Sequence, residues 1–147
     1  ESKMRDIVKQ EPKLKRQLEL IKSIKGVGEK TAIYFIIATK GFNVFSSARK
    51  LACYAGVAPF EYSSGSSIRG GTKINHMADK TMKSLLQMCA LSAVKHDVQL
   101  KAYYLRKQDE GKNKMLVLNN VRCKIIGRIF AVIKRDSPFV DTCKFAA

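Results

Sequence analysis

Serines and glycines concentrate in one irregular stretch, Val57 to Gly71, which contains four serines and three glycines. A serine hydroxyl is a weak nucleophile unless a base or a charged environment activates it. Four cations in or just after this stretch could neutralise a phosphate and stabilise the charge of a pentavalent transition state: Arg69, Lys73, Lys80 and Lys83. These residue types suit serine attack on a phosphodiester, whereas the simpler interpretation is a flexible surface loop.

A second feature is a glycine turn, in which Gly26 and Gly28 flank one apolar residue between two helical patterns. Over residues 20–39 the spacing resembles the helix-hairpin-helix of DNA-repair and recombination proteins, and it is carried by Ile21, Ile24, Gly26, Val27, Gly28 and Ala32. Backbone N–H groups at such a turn can face a phosphate, and Lys25 and Lys30 add positive charge. These contacts hold a duplex without reading its sequence. The alternative is a turn that only packs two helices together.

The last helical segment is strongly basic. Residues 112–135 carry seven basic side chains and no acid, and Lys124 and Arg128 lie one helical turn apart. A basic helix face is often simply solvated. The complete absence of acids favours contact with phosphates.

Composition points to the same class of partner. With 28 Lys and Arg against 12 Asp and Glu, the net charge is +16 over 147 residues. Such an excess predicts a polyanion, either nucleic acid or an acidic membrane surface. No apolar run approaches the roughly 20 residues of a bilayer span, and the first residues are not those of a signal peptide. The chain lacks an initiator Met, so we expect it to be part of a longer protein.

Other chemistries have little support in the sequence. There is no Cys-x-x-Cys, and His76 and His96 lack a second ligand at helical spacing, so no metal site is expected. Four scattered cysteines fit a reducing, cytoplasmic setting. A tyrosine recombinase would need an Arg/His/Arg cluster to accompany Tyr103–Tyr104, and we find none. No paired carboxylates suggest a metal nuclease, because Asp79, Asp97 and Asp109 fit helix caps and surface charges better.

Hydrophobic spacing predicts an all-α domain. One amphipathic helix is expected to turn inward Met82, Leu85, Leu86, Cys89, Ala90, Ala93 and Val94, and the last helix Leu118, Val121, Ile125, Ile129, Val132 and Ile133. Helices are expected over residues 4–21, with a break near Pro12, and from the glycine turn to about Thr39. Further helices are expected from Ser46 or Ser47 to Tyr54, from Asp79 through Val94, over 98–108 and over 113–134. Met4, Ile7, Glu11, Leu14, Leu18 and Ile21 form a near-heptad seam, the end of a longer coiled-coil-like helix. We therefore expect a linker helix at 1–19, a compact domain at 20–137 and a tail at 138–147.

Taken in order, several short motifs resemble the C-terminal domain of the insertion-sequence one-ten/one-sixteen/nine-oh-two transposase family. The motifs are Ile24–Gly28, Phe45–Ala52, Tyr54–Pro59, Ser64–Gly65 and Gly111–Lys112. The resemblance runs from about Leu20 to Arg135. Each piece is weak alone, but the ordered run is specific.

The resemblance implies more than composition does. It implies that Ser64, directly before Gly65, attacks DNA and forms a phosphoserine link, with Ser63 as the fallback. It also implies an N-terminal RuvC-like nuclease domain holding Mg²⁺ on four acidic residues, and a bridge RNA that guides target choice. A coiled-coil segment between the two domains would suit the seam in the first helix.

This sequence also departs from the family. Family members often carry a glycine and then an arginine in the helix after the loop, where Ala78 and Lys83 stand here. Lysine lacks the bidentate fork of arginine. No RuvC-like acidic set is present in this chain. We therefore expect a DNA-binding domain that needs its partner domain, acts on double-stranded DNA and forms a homo-oligomer in the full-length protein.

Two other functions remain open from the sequence. A non-catalytic helix-hairpin-helix module of a repair or recombination protein explains the charge and the glycine turn, but leaves the serine loop without a purpose. RNA binding through the terminal helix alone is a weaker alternative. The sequence upstream, and the salt dependence of affinity for DNA and RNA, would discriminate among them.

Overall fold

The computed structural model describes residues 2–58, 63–64, 68–69 and 78–141, and this part of the chain is almost entirely helical. Its elements are α1 (Ser2–Gln10), α2 (Pro12–Lys22), α3 (Glu29–Ala38), α4 (Ala48–Tyr54), β1 (Ser63–Ser64), β2 (Ile68–Arg69), α5 (Lys80–His96), α6 (Val98–Asp109) and α7 (Lys114–Arg135). The prediction of an all-α domain is confirmed. The two-residue strands, which pair antiparallel, were not predicted.

Local signals set most helix ends. Pro12 is the first residue of α2, so the predicted break falls between α1 and α2. Four helices begin with a side chain that accepts a hydrogen bond from a backbone N–H of the first turn, and these caps are Ser47, Asp79, Asp97 and Asn113. After α6 the chain turns at Gly111, whose φ of 77° favours glycine.

The core is built mainly where α5 packs on α7. The inward positions of α5 are Met82, Leu86, Cys89, Ala90 and Ala93, and those of α7 include Val121, Ile125, Ile129 and Val132, all buried. Both stripes were predicted from their spacing. Burial of each large aliphatic side chain stabilises the fold by about 1.5–3 kcal/mol before entropy is counted, so this interface fixes how α5 and α7 lie together.

The predicted seam of the first two helices is only partly buried. Leu18 and Ile21 are in the core, but Ile7 is 60% exposed, and Val8 is buried in its place. The physical reason is the break at Pro12, which starts a new helix and changes the face that α1 presents to α3. No helix in the described ranges is long and apolar enough to cross a membrane.

The end of α4 anchors both ends of the segment that carries the serine-glycine loop. The N–H groups of Val57 and Ala58 donate to the carbonyl of Ala52 at 3.0 and 3.1 Å. The N–H of Asp79 donates to the carbonyl of Tyr54 at 2.9 Å. The chain therefore leaves and re-enters the helical body at the same place.

Candidate functional site

The serine-glycine loop is described at β1 and β2 alone. Ser63 pairs with Arg69 and Ser64 pairs with Ile68 in antiparallel register. This register places the backbone of the fallback serine directly opposite that of a candidate phosphate-binding residue. Lys73 lies outside the described residues.

The first turn of α5 carries the next two candidates. Lys80 is exposed, and Lys83 is partly buried. Asp79 caps this helix by accepting a hydrogen bond from the N–H of Met82 at 2.9 Å, and it also accepts one from the Tyr34 hydroxyl at 2.8 Å. The pKa of Tyr34 is raised, mainly by burial and to a lesser extent by the hydrogen bond to Asp79. Asp79 thus connects α3 to the start of α5, where the chain returns from the loop. Lys80 and Lys83 lie beside this connection.

The two glycines of the turn between α2 and α3 differ in environment. Gly26 has a φ of 90°, and a Cβ atom there would lie 2.8 Å from the backbone nitrogen of Ala93 in α5. Gly28 caps α3 with extended backbone, and a Cβ atom there would meet no atom of the described residues within 4 Å. Gly26 therefore serves close packing on α5, and Gly28 lies at the surface.

Lys25 is bound to the segment that follows α7. Its Nζ donates to Asp141 Oδ2 at 2.9 Å, and this bond raises the pKa of Lys25 above 10.5. The N–H of Phe139 donates to Ser23 Oγ at 2.8 Å in the same turn. Residues 139–141 therefore cross the glycine turn, whereas Lys30 is exposed on the first turn of α3.

The two candidates on α7 have different surroundings. Arg128 Nη1 donates to Asp97 Oδ2 at 2.6 Å, Nη2 donates to Gln99 at 2.9 Å, and the guanidinium lies 4.4 Å from the centre of the Phe139 ring. Lys124 is exposed, with its Nζ 4.5 Å from the centre of the Tyr103 ring. Arg128 is thus used inside the fold, and Lys124 is available at the surface.

Arg122 is a further candidate residue, and it was not predicted from the sequence. It is only 6% exposed, and its guanidinium donates to the side-chain oxygens of Gln87 on α5 and Asn119 on α7. Burial lowers its pKa. A signal was present in the sequence, because Arg122 follows Leu118 by four residues and so shares the apolar face of α7.

The glycine turn and the lysines at the start of α5 form two separate groups along that helix. Gly26 packs on Ala93, and Lys80 begins the same helix thirteen residues earlier. At 1.5 Å of rise per residue, this separation is about 20 Å along the helix axis. The structure therefore brings the glycine turn and the start of α5 to opposite ends of one helix. About six base pairs of duplex DNA cover the same distance.

The functional side chains of these groups are lysines and arginines. Within the described ranges, no three His, Cys, Asp or Glu side chains converge to hold a metal ion. Cys53, Cys89 and Cys123 are free thiols, and burial raises the pKa of Cys89 and Cys123, which favours their neutral form. The groups can bind phosphates along an extended surface.

Comparison with known proteins identifies the family. The family model described as Transposase IS116/IS110/IS902 family matches residues 18–105. The chain is similar to the pilin gene-inverting protein of Moraxella bovis, with 30% identity over 129 residues, 87% of this chain and 40% of that protein. It is also similar to the insertion element IS110 uncharacterized 43.6 kDa protein of Streptomyces coelicolor, with 29% identity over 84% of this chain and 30% of that protein.

The matched segment contains the glycine turn, both candidate serines and most of α6. The chain spans about two fifths of the length of the pilin gene-inverting protein that it matches. Because the family model covers more than half of the sequence, the chain belongs to the IS116/IS110/IS902 family of transposases.

Proposed function

We propose that this chain is the DNA-joining domain of a transposase, and that Ser64 is its nucleophile. Ser64 Oγ forms a bond to the phosphorus of a phosphodiester, and the bond from phosphorus to the leaving strand breaks. A base accepts the serine proton, and the leaving strand's hydroxyl takes up a proton. The same steps in reverse rejoin the strand. The observation that carries the proposal is the family match, which includes Ser63 and Ser64.

The cations supply the binding energy for double-stranded DNA. Lys80 and Lys83 lie where the loop returns to α5, and Lys30 and Gly28 lie at the start of α3. Arg69, Lys73 and Lys124 are further candidates for phosphate contact. With the glycine turn and the start of α5 about 20 Å apart, one duplex lying along α5 would contact both. These contacts fix the position of the strand and do not read bases.

The whole protein would supply the remaining parts. An N-terminal RuvC-like domain would hold Mg²⁺ on its acidic residues, and a bridge RNA would select the DNA. The full-length protein would act in the cytoplasm. It would act as a homo-oligomer, because exchange of strands needs more than one cleavage. The relative named for pilin gene inversion rearranges DNA according to its name, which agrees with a breaking and rejoining activity here.

The test is a covalent adduct in the full-length protein. Labelled duplex substrate is mixed with wild type, Ser64→Ala, Ser63→Ala and Ser46→Ala, and a DNA-linked band is sought on a denaturing gel. Ser46 is exposed just before α4 and serves as the matched control. Only Ser64→Ala should lose the band, and digestion should place the nucleotide on a peptide containing Ser64. Loss in Ser63→Ala alone would contradict the assignment.

A second function has one observation in its favour. The surface position of Gly28 at the start of α3 fits a non-catalytic helix-hairpin-helix module that only holds DNA. Such a module would bind duplex DNA with a strong salt dependence and would form no covalent adduct with any substrate. The same gel therefore discriminates between the two functions.

A further inference from the structure

Arg122 is a buried cation that lacks a counter-ion within the described part of the chain. It is 6% exposed, and the two residues that accept hydrogen bonds from it are Gln87 and Asn119, both neutral amides. Its Nε is buried and has no hydrogen-bond partner among the residues that the structure describes. Buried charges in proteins are normally paired, and an unpartnered buried donor calls for an explanation such as a missing ion.

A second arginine on the same helix shows what a fully paired guanidinium is like in this fold. Arg128 is held by the carboxylate of Asp97 at 2.6 Å and by Gln99. Arg122, six residues earlier on the same helix, has amides where Arg128 has a carboxylate. The two residues therefore differ in the one partner that would neutralise the charge.

The surroundings of Arg122 connect it to the base of the serine loop. Asn119 donates to the carbonyl of Val57 at 2.7 Å, and Val57 is next to the last residue described before β1. Gln87 follows Lys83 by four residues, so these two side chains are neighbours on one face of α5. Burial raises the pKa of Cys123, which follows Arg122 in the chain, and Arg49 of α4 is close enough to this thiol to oppose that rise electrostatically. Two further cations, Arg49 and Lys83, thus lie near residues that adjoin or contact Arg122.

We infer that Arg122 binds a phosphate group at the base of the serine loop. The amide oxygens of Gln87 and Asn119 hold the guanidinium in the absence of the anion. A phosphate would replace these neutral acceptors with anionic oxygens, so that donor and acceptor would both carry charge, and the free Nε–H would complete a two-pronged contact. The identification of this phosphate with DNA rests on the function proposed above, but the anion site itself does not.

The direct test follows the Arg122 Nε–H signal by ¹H–¹⁵N NMR in this 147-residue chain. Inorganic phosphate is titrated against sodium chloride at equal ionic strength, and then a short DNA duplex is added. The Arg122 signal is assigned by its loss in Arg122→Lys or by through-bond experiments on the wild type. This signal should shift saturably with phosphate and with DNA but not with chloride. An unchanged signal with both phosphate and DNA would overturn the inference.

Affinity for DNA gives the second measurement. Arg122→Lys should weaken duplex binding by at least about tenfold, because the fork geometry is lost while the charge remains. Arg106→Lys, which makes the same exchange at an exposed guanidinium on α6 that pairs with Glu110, is the control and should change affinity less than about twofold. Equal effects of the two variants would contradict a specific site.

The outcomes separate this inference from the proposed function. If phosphate shifts the Arg122 signal but Ser64→Ala still forms the covalent adduct in the full-length protein, the anion site stands and the nucleophile is wrong. If the adduct depends on Ser64 but the signal never moves, the nucleophile stands and the anion site is wrong.

Discussion

Asp97 and Arg128 join three helices through a buried ion pair. The Oδ1 atom of Asp97 caps α6 by accepting from the N–H of Leu100 at 2.9 Å, while its Oδ2 accepts from Arg128 Nη1 at 2.6 Å. Asp97 is 1% exposed and directly follows α5, and Arg128 comes from α7. One carboxylate therefore fixes the α5–α6 connection against the last helix.

The first prediction concerns this pair. Asp97→Asn keeps a capping side chain but removes the negative charge, which leaves the guanidinium of Arg128 partly buried without its counter-ion. We expect a loss of about 3 kcal/mol in the free energy of unfolding, measured by urea denaturation. Asp109→Asn, at the exposed end of α6, is the control and should cost less than about 0.5 kcal/mol. Similar losses in both variants would show that the pair contributes nothing specific.

The second prediction separates packing from surface contact at the glycine turn. Gly26→Ala should destabilise the fold by about 2 kcal/mol or more, because φ is 90° and the new Cβ would meet the backbone of Ala93 at 2.8 Å. Gly28→Ala should cost less than about 1 kcal/mol. Thermal unfolding measures both. Because Gly28→Ala should change stability little, a change in its DNA affinity would report on surface contact. A larger loss of stability in Gly28→Ala than in Gly26→Ala would refute the assignment of packing to Gly26 and surface contact to Gly28.

The third prediction concerns the ion pair that covers the glycine turn. Asp141→Asn removes the carboxylate that holds Lys25, so the lysine charge becomes available to a phosphate. We expect tighter binding to a DNA duplex and a steeper dependence of the binding constant on salt, measured by fluorescence anisotropy. Asp136→Asn removes an equal charge from the Arg16 pair and controls for net charge. If both variants bind equally well, Lys25 is not a DNA contact.

The fourth prediction is a loss of stability at alkaline pH. Burial raises the pKa of Cys89 above its ordinary 9.0, so the folded state keeps a proton that the unfolded state releases above that pH. Stability attributable to this thiol is therefore complete below pH 9 and falls as pH rises, by up to about 1.4 kcal/mol per pH unit until the folded thiol also ionises. Urea denaturation from pH 8 to 10.5 should show a shallower decline in Cys89→Ala. Parallel curves would contradict the prediction.

Local features of the sequence determined the elements of this fold. The spacing of Met82, Leu86 and Ala93 identified the inner face of α5, and Pro12 located the break between α1 and α2. Capping by Ser47 and Asp79 could be predicted from the sequence, because a cap depends on residues within one turn. The family was also recognisable from short ordered motifs, and the family model confirmed it.

Tertiary packing decided which cations face solvent and which are bound inside the protein. Lys124 and Arg128 are equivalent in sequence, one turn apart on a basic helix, yet only Arg128 meets a buried carboxylate, supplied by Asp97 thirty-one residues away. The same holds for Lys25 and Asp141, and for the amide partners of Arg122. A local pattern specifies a helix and its apolar face, but the partner of a charge comes from a distant part of the chain, and only the packed fold brings the two together.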